Sequence, residues 1–235
     1  MEKSEIPQSS IDVVVAAIDQ WLGRKSIGYD YVKIGKLMAA VDTAKFIEEH
    51  LPTAPIYSSR GLLHQAALRE RRTPGMVLEF GVASGKSIDF IAKNLPQETI
   101  YGFDSFEGLP EDWISSYRKG HFAQKVPQVA DNVELVVGLF DETLPGFLAR
   151  HPDDVSYLHI DCDLYSSTRS ILQLLGGRIR AGTVIVFDEY FNYPSWRQHE
   201  HKAFMEFVEE RDVKFHFLGA VHSSVQASIL IDSIG

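Results

Sequence analysis

The sequence predicts an α/β protein, a Rossmann-like, doubly wound domain with a mostly parallel, seven-stranded sheet and an N-terminal helical extension. Two observations predict this fold. After residue 73, short apolar runs alternate with stretches of helical periodicity, which is typical of doubly wound proteins. The runs are continuously apolar, as expected for parallel strands that are buried on both faces. The seven runs are Met76–Phe80, Thr99–Phe103, Val133–Val137, Val155–Ile160, Thr183–Phe187, Val213–Leu218 and Ala227–Ile231.

Helices fit between several of these strands. Apolar residues recur at helical spacing over Lys86–Asn94, Ser167–Leu175 and Gln198–Glu209. The residues before the first strand show the same helical periodicity without strand-like runs. We therefore expect two parts, a helical extension or lid at residues 1–72 and the α/β domain at residues 73–235.

One segment, Ser105 to Asn132, interrupts the alternation of strands and helices. It is long for a connection and rich in aromatic residues, among them Phe106, Trp113 and Phe122. Long insertions in compact folds are often functional. We predict a loop or short helices that lie over a binding site.

Composition excludes several classes of protein. The chain has 235 residues, a formal net charge of −9 and no run rich in lysine and arginine. A general nucleic-acid binder needs a basic face, so we expect no nucleic-acid partner, although a local basic groove stays possible. The apolar runs are too short to span a bilayer, and Cys162 is the single cysteine, so no intrachain disulfide can form. We expect a cytoplasmic enzyme without a membrane partner.

Glycines and carboxylates follow five consecutive predicted strands. Ligands of open α/β sheets bind beyond the carboxyl ends of the strands, so these positions are the candidate site. The agreement among five strand ends carries more weight than any single motif. In chain order, the strands are followed by Gly81 and Gly85, by Asp104, by Gly138 and Phe140, by Asp161 and Asp163, and by Asp188 and Glu189.

The first two strand ends predict a nucleoside site. Gly81 and Gly85 flank a tight turn into a helix, where glycine lets the backbone approach a ligand closely and free N–H groups face an anion. Asp104 follows about 20 residues later, the spacing of an acid that binds a ribose diol. The alternative is that the glycines only form the turn and Asp104 only caps a helix.

A rival interpretation is a nucleotide hydrolase. The segment Gly81-Val-Ala-Ser-Gly85-Lys86-Ser87 resembles a P-loop, but it has one residue fewer between its glycines than that motif requires. The apolar run that ends at Asp188 also resembles a Walker B strand. Against this interpretation, a P-loop gives Asp104 no role.

The sequence then resembles a known superfamily. Val77-Leu-Glu-Phe-Gly-Val-Ala-Ser-Gly-Lys-Ser87 resembles the first motif of class I S-adenosylmethionine-dependent methyltransferases, and Tyr101-Gly-Phe-Asp-Ser-Phe-Glu-Gly-Leu-Pro110 resembles the second. More narrowly, His159-Ile-Asp-Cys-Asp-Leu-Tyr-Ser-Ser-Thr168 with Val186-Phe-Asp-Glu-Tyr190 is similar to the macrocin O-methyltransferase family, which methylates sugars on antibiotics. The resemblance covers roughly residues 75–205.

This resemblance implies a role for each matching position. S-adenosylmethionine would have its methionine end at the glycine turn, its ribose at Asp104 and its adenine between Gly138 and Phe140. Magnesium would be held by Asp161, Asp188 and Glu189, although the family has Asp where this chain has Glu189. The implied cofactor-binding residues are Glu79, Gly81, Ala83, Ser84, Gly85, Ser87, Asp104, Ser105, Phe106, Gly138, Phe140 and Asp161.

The expected activity is therefore methyl transfer to a hydroxyl of a small molecule, such as a sugar or a glycosylated natural product. A metal would lower the pKa of the hydroxyl, and Asp161 would be the catalytic residue that removes its proton. The alternatives are the nucleotide hydrolase and a non-catalytic cofactor-binding module. The helical extension would form part of the acceptor pocket or the contact of a homodimer.

Several candidate residues also have structural interpretations. Asp163 is equally consistent with capping the helix that follows it. Cys162 is better explained as a small core residue than as a nucleophile. His199 and His201 are alternative bases, but a solvated or capping role fits each of them better.

Overall fold

A computed structural model describes residues 8–23, 28–114 and 116–235 of the chain. Its centre is an eight-stranded sheet with the strand order β1-β7-β8-β6-β5-β2-β3-β4. All neighbouring strands pair in parallel except β8, which is antiparallel to both β6 and β7. The strands are β1 Ile56–Tyr57, β2 Met76–Phe80, β3 Ile100–Asp104, β4 Val133–Val137, β5 Val155–Ile160, β6 Val184–Phe187, β7 Lys214–Val221 and β8 Ala227–Ser233.

The predicted doubly wound, mostly parallel sheet is confirmed, and all seven predicted strands are present. The predicted number of strands is wrong by one, because β1 lies in the region that we expected to be helical. This strand has two residues, and Ile56 and Tyr57 pair with Ala220 and Val221 of β7. Two residues are too few to show a periodicity, so no local pattern predicts this strand.

Seven α-helices accompany the sheet in the described residues. They are α1 Gln8–Trp21, α2 Tyr31–His50, α3 Arg60–Arg69, α4 Lys86–Asn94, α5 Phe140–Arg150, α6 Tyr165–Leu175 and α7 Glu200–Glu210. A short 3₁₀ helix, Trp196–Gln198, precedes α7. The structure identifies no helix that is both long and apolar enough to cross a bilayer among these residues.

Both faces of the sheet are covered by helices, which explains the continuously apolar strands. Successive residues of a strand point to opposite faces. Val77 and Tyr157 pack with α3 and α4 on one face, whereas Leu78 and Leu158 pack with α5, α6 and α7 on the other. All four side chains are buried, so neither face of a central strand has room for a polar residue without a partner.

The last part of the region before β2 packs against the sheet. Asp30 caps α2 by accepting hydrogen bonds from two backbone N–H groups, and Ser59 caps α3 in the same way through Leu62. Helix α3 packs against β6, β7 and β8. The division of the chain at residue 73 stays a prediction, and residues 1–7 and 24–27 of the predicted extension lie outside the described residues.

The segment from residue 105 to 132 consists of turns and loops wherever it is described, which excludes Ser115. Its aromatic residues pack against one another, with the rings of Trp113 and Tyr117 stacked at 5.3 Å. Trp113 also contacts the ring of Tyr193 after β6. These contacts fix the segment over the carboxyl edge of the sheet, as predicted for a loop.

The turn after β2 depends on a glycine. Gly81 has a φ of 91°, and a Cβ added there would lie 1.7 Å from the carbonyl oxygen of Asp161. Only glycine lets this backbone pass so close to the end of β5. The close approach places the first turn and the Asp161 strand end side by side.

We expect Gly81→Ala to lower the free energy of unfolding by at least about 3 kcal/mol, because both the φ value and the space are unfavourable for a side chain. Urea unfolding followed by circular dichroism measures this. Gly177→Ala is the matched control, since a Cβ there meets nothing within 4 Å, and its effect should stay within about 0.5 kcal/mol. Equal stability of the two variants would contradict the proposed close approach.

Candidate active site

The strand order places the candidate residues in one row. Strands β4, β3, β2, β5 and β6 are consecutive neighbours in the sheet, and their carboxyl ends lie at one edge. Neighbouring strands are roughly 4.8 Å apart. Two strand spacings, roughly 10 Å, therefore separate the end of β3 from the end of β5. Along the edge, the strands are followed in order by Gly138, Asp104, Gly81, Asp161 and Asp188.

A cavity of about 440 Å³ lies over this row, within the range of pockets for small molecules. Nine of the residues predicted to bind the cofactor or the metal line it, and the lining also includes other residues. The predicted ones are Gly81, Ala83, Asp104, Ser105, Gly138, Phe140, Asp161, Asp188 and Glu189; among the others are Arg60, Leu109, Pro110, Phe122, Leu139 and Asp163.

Asp104 fixes the glycine turn. One carboxylate oxygen accepts hydrogen bonds from the backbone N–H groups of Val82 at 2.9 Å and Ala83 at 2.8 Å. The other oxygen accepts one from Phe106 at 2.7 Å. The side chain therefore caps no helix, which removes that alternative. An ionised carboxylate can accept about four hydrogen bonds, so one more acceptor position is available at the cavity wall.

The same contacts argue against a P-loop. A P-loop holds phosphates with the backbone N–H groups between its glycines. Here, two of those groups, from Val82 and Ala83, already donate to the carboxylate of Asp104. A phosphate would have to displace a negatively charged partner from them.

Five predicted cofactor residues are not on the cavity wall, namely Glu79, Ser84, Gly85, Ser87 and Phe106. The structure contradicts direct ligand contact for Glu79, which is completely buried. Its two oxygens are engaged by the hydroxyl of Ser87 at 2.9 Å and by Nδ1 of His159 at 2.9 Å. For the other four residues, direct contact with a cofactor stays a prediction.

His159 links the first turn to the acidic strand ends. It is completely buried, with Nδ1 on Glu79 and Nε2 3.6 Å from Oδ1 of Asp188. Burial lowers the pKa of His159, but the adjacent carboxylates of Asp188 and Glu79 outweigh burial and raise that pKa to about 10. The ring is therefore a cation at neutral pH, placed between two buried carboxylates.

The acidic strand ends share a second cation, Arg60. Its Nη2 atom lies 2.5 Å from Oδ1 of Asp188 and 3.4 Å from Oδ2 of Asp161. Burial alone would raise the pKa of Asp188, but the adjacent His159 and Arg60 hold it below its usual range. Burial and the charge of Asp188 raise the pKa of Asp161 well above its usual value.

More carboxylates lie beyond this pair. Glu189 has a buried oxygen, Oε2, without a hydrogen-bond partner, and burial and the charge of Asp188 raise its pKa. Glu200 is completely buried and accepts a hydrogen bond from the backbone N–H of Glu189. Burial and Asp188 raise the pKa of Asp163 to about 7. This end of the cavity therefore holds more negative than positive side chains.

The structure gives different answers for the candidate residues that also had structural interpretations. Helix α6 begins after Leu164 without a side-chain cap, so Asp163 faces the cavity and caps nothing. Cys162 is buried, and burial raises the pKa of its thiol, which makes it a poor nucleophile. His199 makes no side-chain cap of α7, and His201 packs its ring against Trp196 and Tyr190.

Sequence reasoning missed Arg60 and His159 as site residues. Arg60 lies 101 and 128 residues from the two carboxylates that it contacts. No local pattern connects residues at such separations. His159 was visible at a buried strand end, and a titratable residue inside an apolar run was the available signal.

Known proteins resemble the chain in this region. Residues 78–190 match the sequence profile of a family described as a methyltransferase domain. The chain is thus similar to a methyltransferase domain over these residues. This match covers the glycine turn, Asp104 and all of the strand-end acids. The related proteins found are methyltransferases, so the nucleotide-hydrolase alternative gains no support from them.

Two curated relatives are similar to between about half and three-fifths of the chain. An 8-demethyl-8-(2,3-dimethoxy-alpha-L-rhamnosyl)-tetracenomycin-C 4'-O-methyltransferase of Streptomyces olivaceus is 29% identical over 50% of this chain and 53% of its own length. A demethyldecarbamoylnovobiocin O-methyltransferase of Streptomyces niveus is 26% identical over 58% of this chain and 62% of its own length. The matched part thus spans between about half and three-fifths of each relative.

A solved structure shares the fold. The crystal structure of a calicheamicin methyltransferase superposes with a TM-score of 0.58 at 20% sequence identity. The superposition covers 96% of this chain and 94% of the other. This likeness confirms the Rossmann-like fold along almost the whole chain.

We expect His159→Leu to lower the free energy of unfolding by about 3 kcal/mol, because it leaves Glu79 and Asp188 buried without the cation between them. Urea unfolding at neutral pH measures the loss. The double variant Glu79→Gln/His159→Leu should lose at least about 1 kcal/mol less than the sum of the two single variants. Losses that add would mean that the two side chains do not interact.

Proposed function

We propose that this protein is an S-adenosylmethionine-dependent O-methyltransferase that acts on a hydroxyl of a small molecule, such as a sugar or a glycosylated natural product. One observation carries the proposal. The glycine turn with Asp104 and the acidic strand ends with Asp161 line the same cavity. A cofactor site and a site for deprotonating a hydroxyl thus lie roughly 10 Å apart along one sheet edge.

The residues at the first end suit the cofactor. Asp104 has an acceptor position left for a ribose hydroxyl, and the glycine turn lets a ligand approach the backbone at Gly81. Apolar side chains, among them Leu109 and Phe140, line the same cavity and suit a purine ring. S-adenosylmethionine supplies an electrophilic methyl group on its sulfonium. The chain's own contribution there is to orient that group toward the acidic end.

The residues at the second end suit a divalent cation. Oxygen atoms of Asp161, Asp188 and Glu189 lie within 4.8 Å of one another, and carboxylate oxygens are the ligands that magnesium prefers. The buried and unpartnered Oε2 of Glu189 is the observation that favours a cation, because a buried polar atom without a partner is costly. The longer side chain of Glu189 keeps the ligand set complete despite the departure from Asp. Magnesium would supply a positive charge that acidifies a hydroxyl.

Asp161 is the proposed general base. Burial and the charge of Asp188 raise the pKa of Asp161, as they raise those of Asp163 and Glu189, and a raised pKa makes a carboxylate a better proton acceptor than an exposed one. Among these three residues, Asp161 lies directly beside the glycine turn at Gly81. Asp188 stays ionised between His159 and Arg60, so it attracts the acceptor or its metal without taking the proton. The other contribution of the protein is positioning, which holds the deprotonated oxygen in line with the methyl group.

The acceptor class follows from the relatives. The name of the Streptomyces olivaceus enzyme specifies a rhamnosyl-tetracenomycin as its substrate. We propose an acceptor of the same kind, a glycosylated or otherwise polyhydroxylated molecule, and the resemblance to the macrocin family supports it. A non-catalytic cofactor-binding module is the second candidate, and the variants of the acidic residues below decide between the two.

The location and assembly of the protein stay predictions. A cytoplasmic location is consistent with the reactions proposed but rests on the sequence alone. For a homodimer, the supporting observation is the exposed apolar surface of α1 and α2. It includes Val13, Ile18, Trp21, Val32 and Met38, of which each side chain is at least about half exposed.

We expect S-adenosylhomocysteine to bind the purified protein in titration calorimetry, and ATP with magnesium not to bind. Asp104→Ala should weaken S-adenosylhomocysteine binding at least about tenfold, because it removes the ribose acceptor and loosens the glycine turn. Asp89→Ala is the matched control. Asp89 also accepts a backbone hydrogen bond, from Ala130 at 2.8 Å, but it does not line the cavity. ATP binding without S-adenosylhomocysteine binding would replace the methyltransferase proposal with the nucleotide hydrolase.

We expect Asp161→Asn and Asp188→Asn each to lower turnover at least about a hundredfold, with S-adenosylhomocysteine affinity preserved. The assay follows S-adenosylhomocysteine formation and the added methyl group by mass spectrometry, with a panel of rhamnosides and other glycosides as acceptors. Asp89→Asn should keep full turnover with any acceptor that the wild type methylates. Unchanged turnover in both acidic-site variants would rule out the general-base role, and no turnover with intact cofactor binding in the wild type would favour the non-catalytic module.

A further inference from the structure

Arg60 occupies the position where a metal would have to bind. Its Nη2 atom contacts both Asp188, at 2.5 Å, and Asp161, at 3.4 Å. These are two of the three carboxylates proposed above as metal ligands. Among the described residues that line the cavity, Arg60 alone carries a permanent positive charge.

Both oxygens of Asp188 have partners while Arg60 is bound. Its Oδ1 accepts the hydrogen bond from Arg60 and lies 3.6 Å from Nε2 of His159. Its Oδ2 accepts a hydrogen bond from Nε2 of Gln226 at 3.3 Å. A cation that binds Oδ1 of Asp188 from the cavity would therefore lie beside the guanidinium, and two positive charges so close together repel each other.

Arg60 is placed so that it can leave without disturbing the fold. It is the first residue of α3, and the cap of that helix is made by its neighbour Ser59. The side chain of Arg60 is 48% exposed, whereas that of Asp188 is 4% exposed. Rotation of the arginine side chain toward the cavity needs no change in the backbone, whereas the carboxylate is fixed.

We propose that Arg60 and a divalent cation exclude one another at Asp161 and Asp188. Arg60 is the counter-ion of these carboxylates before the metal binds, and loading the metal displaces it into the cavity. This inference rests on the metal site of the proposed function. It adds that the N-terminal region supplies a residue that sets the metal affinity of the methyltransferase domain.

The first test is the binding of Mn²⁺ to the full chain, measured by electron paramagnetic resonance of the free ion. Mn²⁺ is suitable because it prefers the same oxygen ligands as magnesium. We expect Arg60→Ala to bind Mn²⁺ at least about tenfold more tightly than the wild type, since a unit charge beside the ligands opposes the ion even when it is partly screened.

Arg71→Ala is the matched control. Arg71 also forms an ion pair with a carboxylate, Glu98, through two hydrogen bonds of 2.7 Å. It contacts Ser156 near the start of β5 and does not line the cavity. Its Mn²⁺ affinity should equal that of the wild type. Equal Mn²⁺ affinity of Arg60→Ala and wild type, or no binding by either, would overturn the exclusion.

A second test observes Arg60 in the wild-type protein. In the wild type, nuclear magnetic resonance of the guanidinium groups should show one arginine with restricted rotation that becomes mobile when magnesium is added, and Arg60→Lys assigns that signal. A signal that stays restricted at saturating magnesium would overturn the proposal even if Arg60→Ala does not fold.

Binding of S-adenosylhomocysteine, measured in the same samples, separates the two proposals. If S-adenosylhomocysteine binds while Mn²⁺ affinity is the same with and without Arg60, the exclusion is wrong and the methyltransferase proposal stands. If S-adenosylhomocysteine does not bind wild type, Arg60→Ala or Arg71→Ala, the proposed function fails, whatever the metal result is.

Discussion

A line of hydrogen bonds and charge contacts, buried at its centre, joins the elements of the candidate site. It runs from Ser87 through Glu79, His159 and Asp188 to Arg60. Each member belongs to a different element, so the line joins the start of α4, strands β2 and β5, the end of β6 and the start of α3. Inside a protein such contacts are strong when every member has a partner and costly when one is missing. The relative positions of these five elements therefore depend on a single imidazolium, His159.

The strand order places chemically different residues on the two sides of β2 along one edge of the sheet. On one side of β2 lie Asp104 and Gly138, and on the other lie Asp161 and Asp188. The first side presents backbone groups and apolar side chains, among them Phe140, beside the carboxylate of Asp104. The second side concentrates negative charge and compensates for it only in part. A molecule that spans the cavity would thus contact the proposed nucleoside site at one end. At its other end it would contact carboxylates, which suit cations and acidified hydroxyls.

Most of the sheet and half of the site could be predicted from the sequence. The strands could be predicted because burial on both faces makes them continuously apolar. The strand-end acids could be predicted as a site because parallel strands end at one edge of the sheet. Arg60 could not be predicted, since its role depends on contacts more than 100 residues away. The glycine turn next to Glu79 was recognisable in the sequence, so we predicted direct contact between Glu79 and the ligand. The histidine that pairs with Glu79 comes from β5, which is distant in the chain. Local sequence patterns do not predict contacts between residues that are distant in the chain.

The hydrogen bonds of Asp104 have a consequence for how a ligand is received. Val82 and Ala83 are tied to this carboxylate by contacts within the chain, so the turn pays its ordering entropy during folding and not during binding. Association then requires little rearrangement of the turn itself. The speed of entry and exit is left to the segment from residue 105 to 132, whose Leu109 and Phe122 lie on the cavity wall. Residence time and affinity can therefore evolve separately in this protein, the first by changes in that loop and the second by changes along the strand ends.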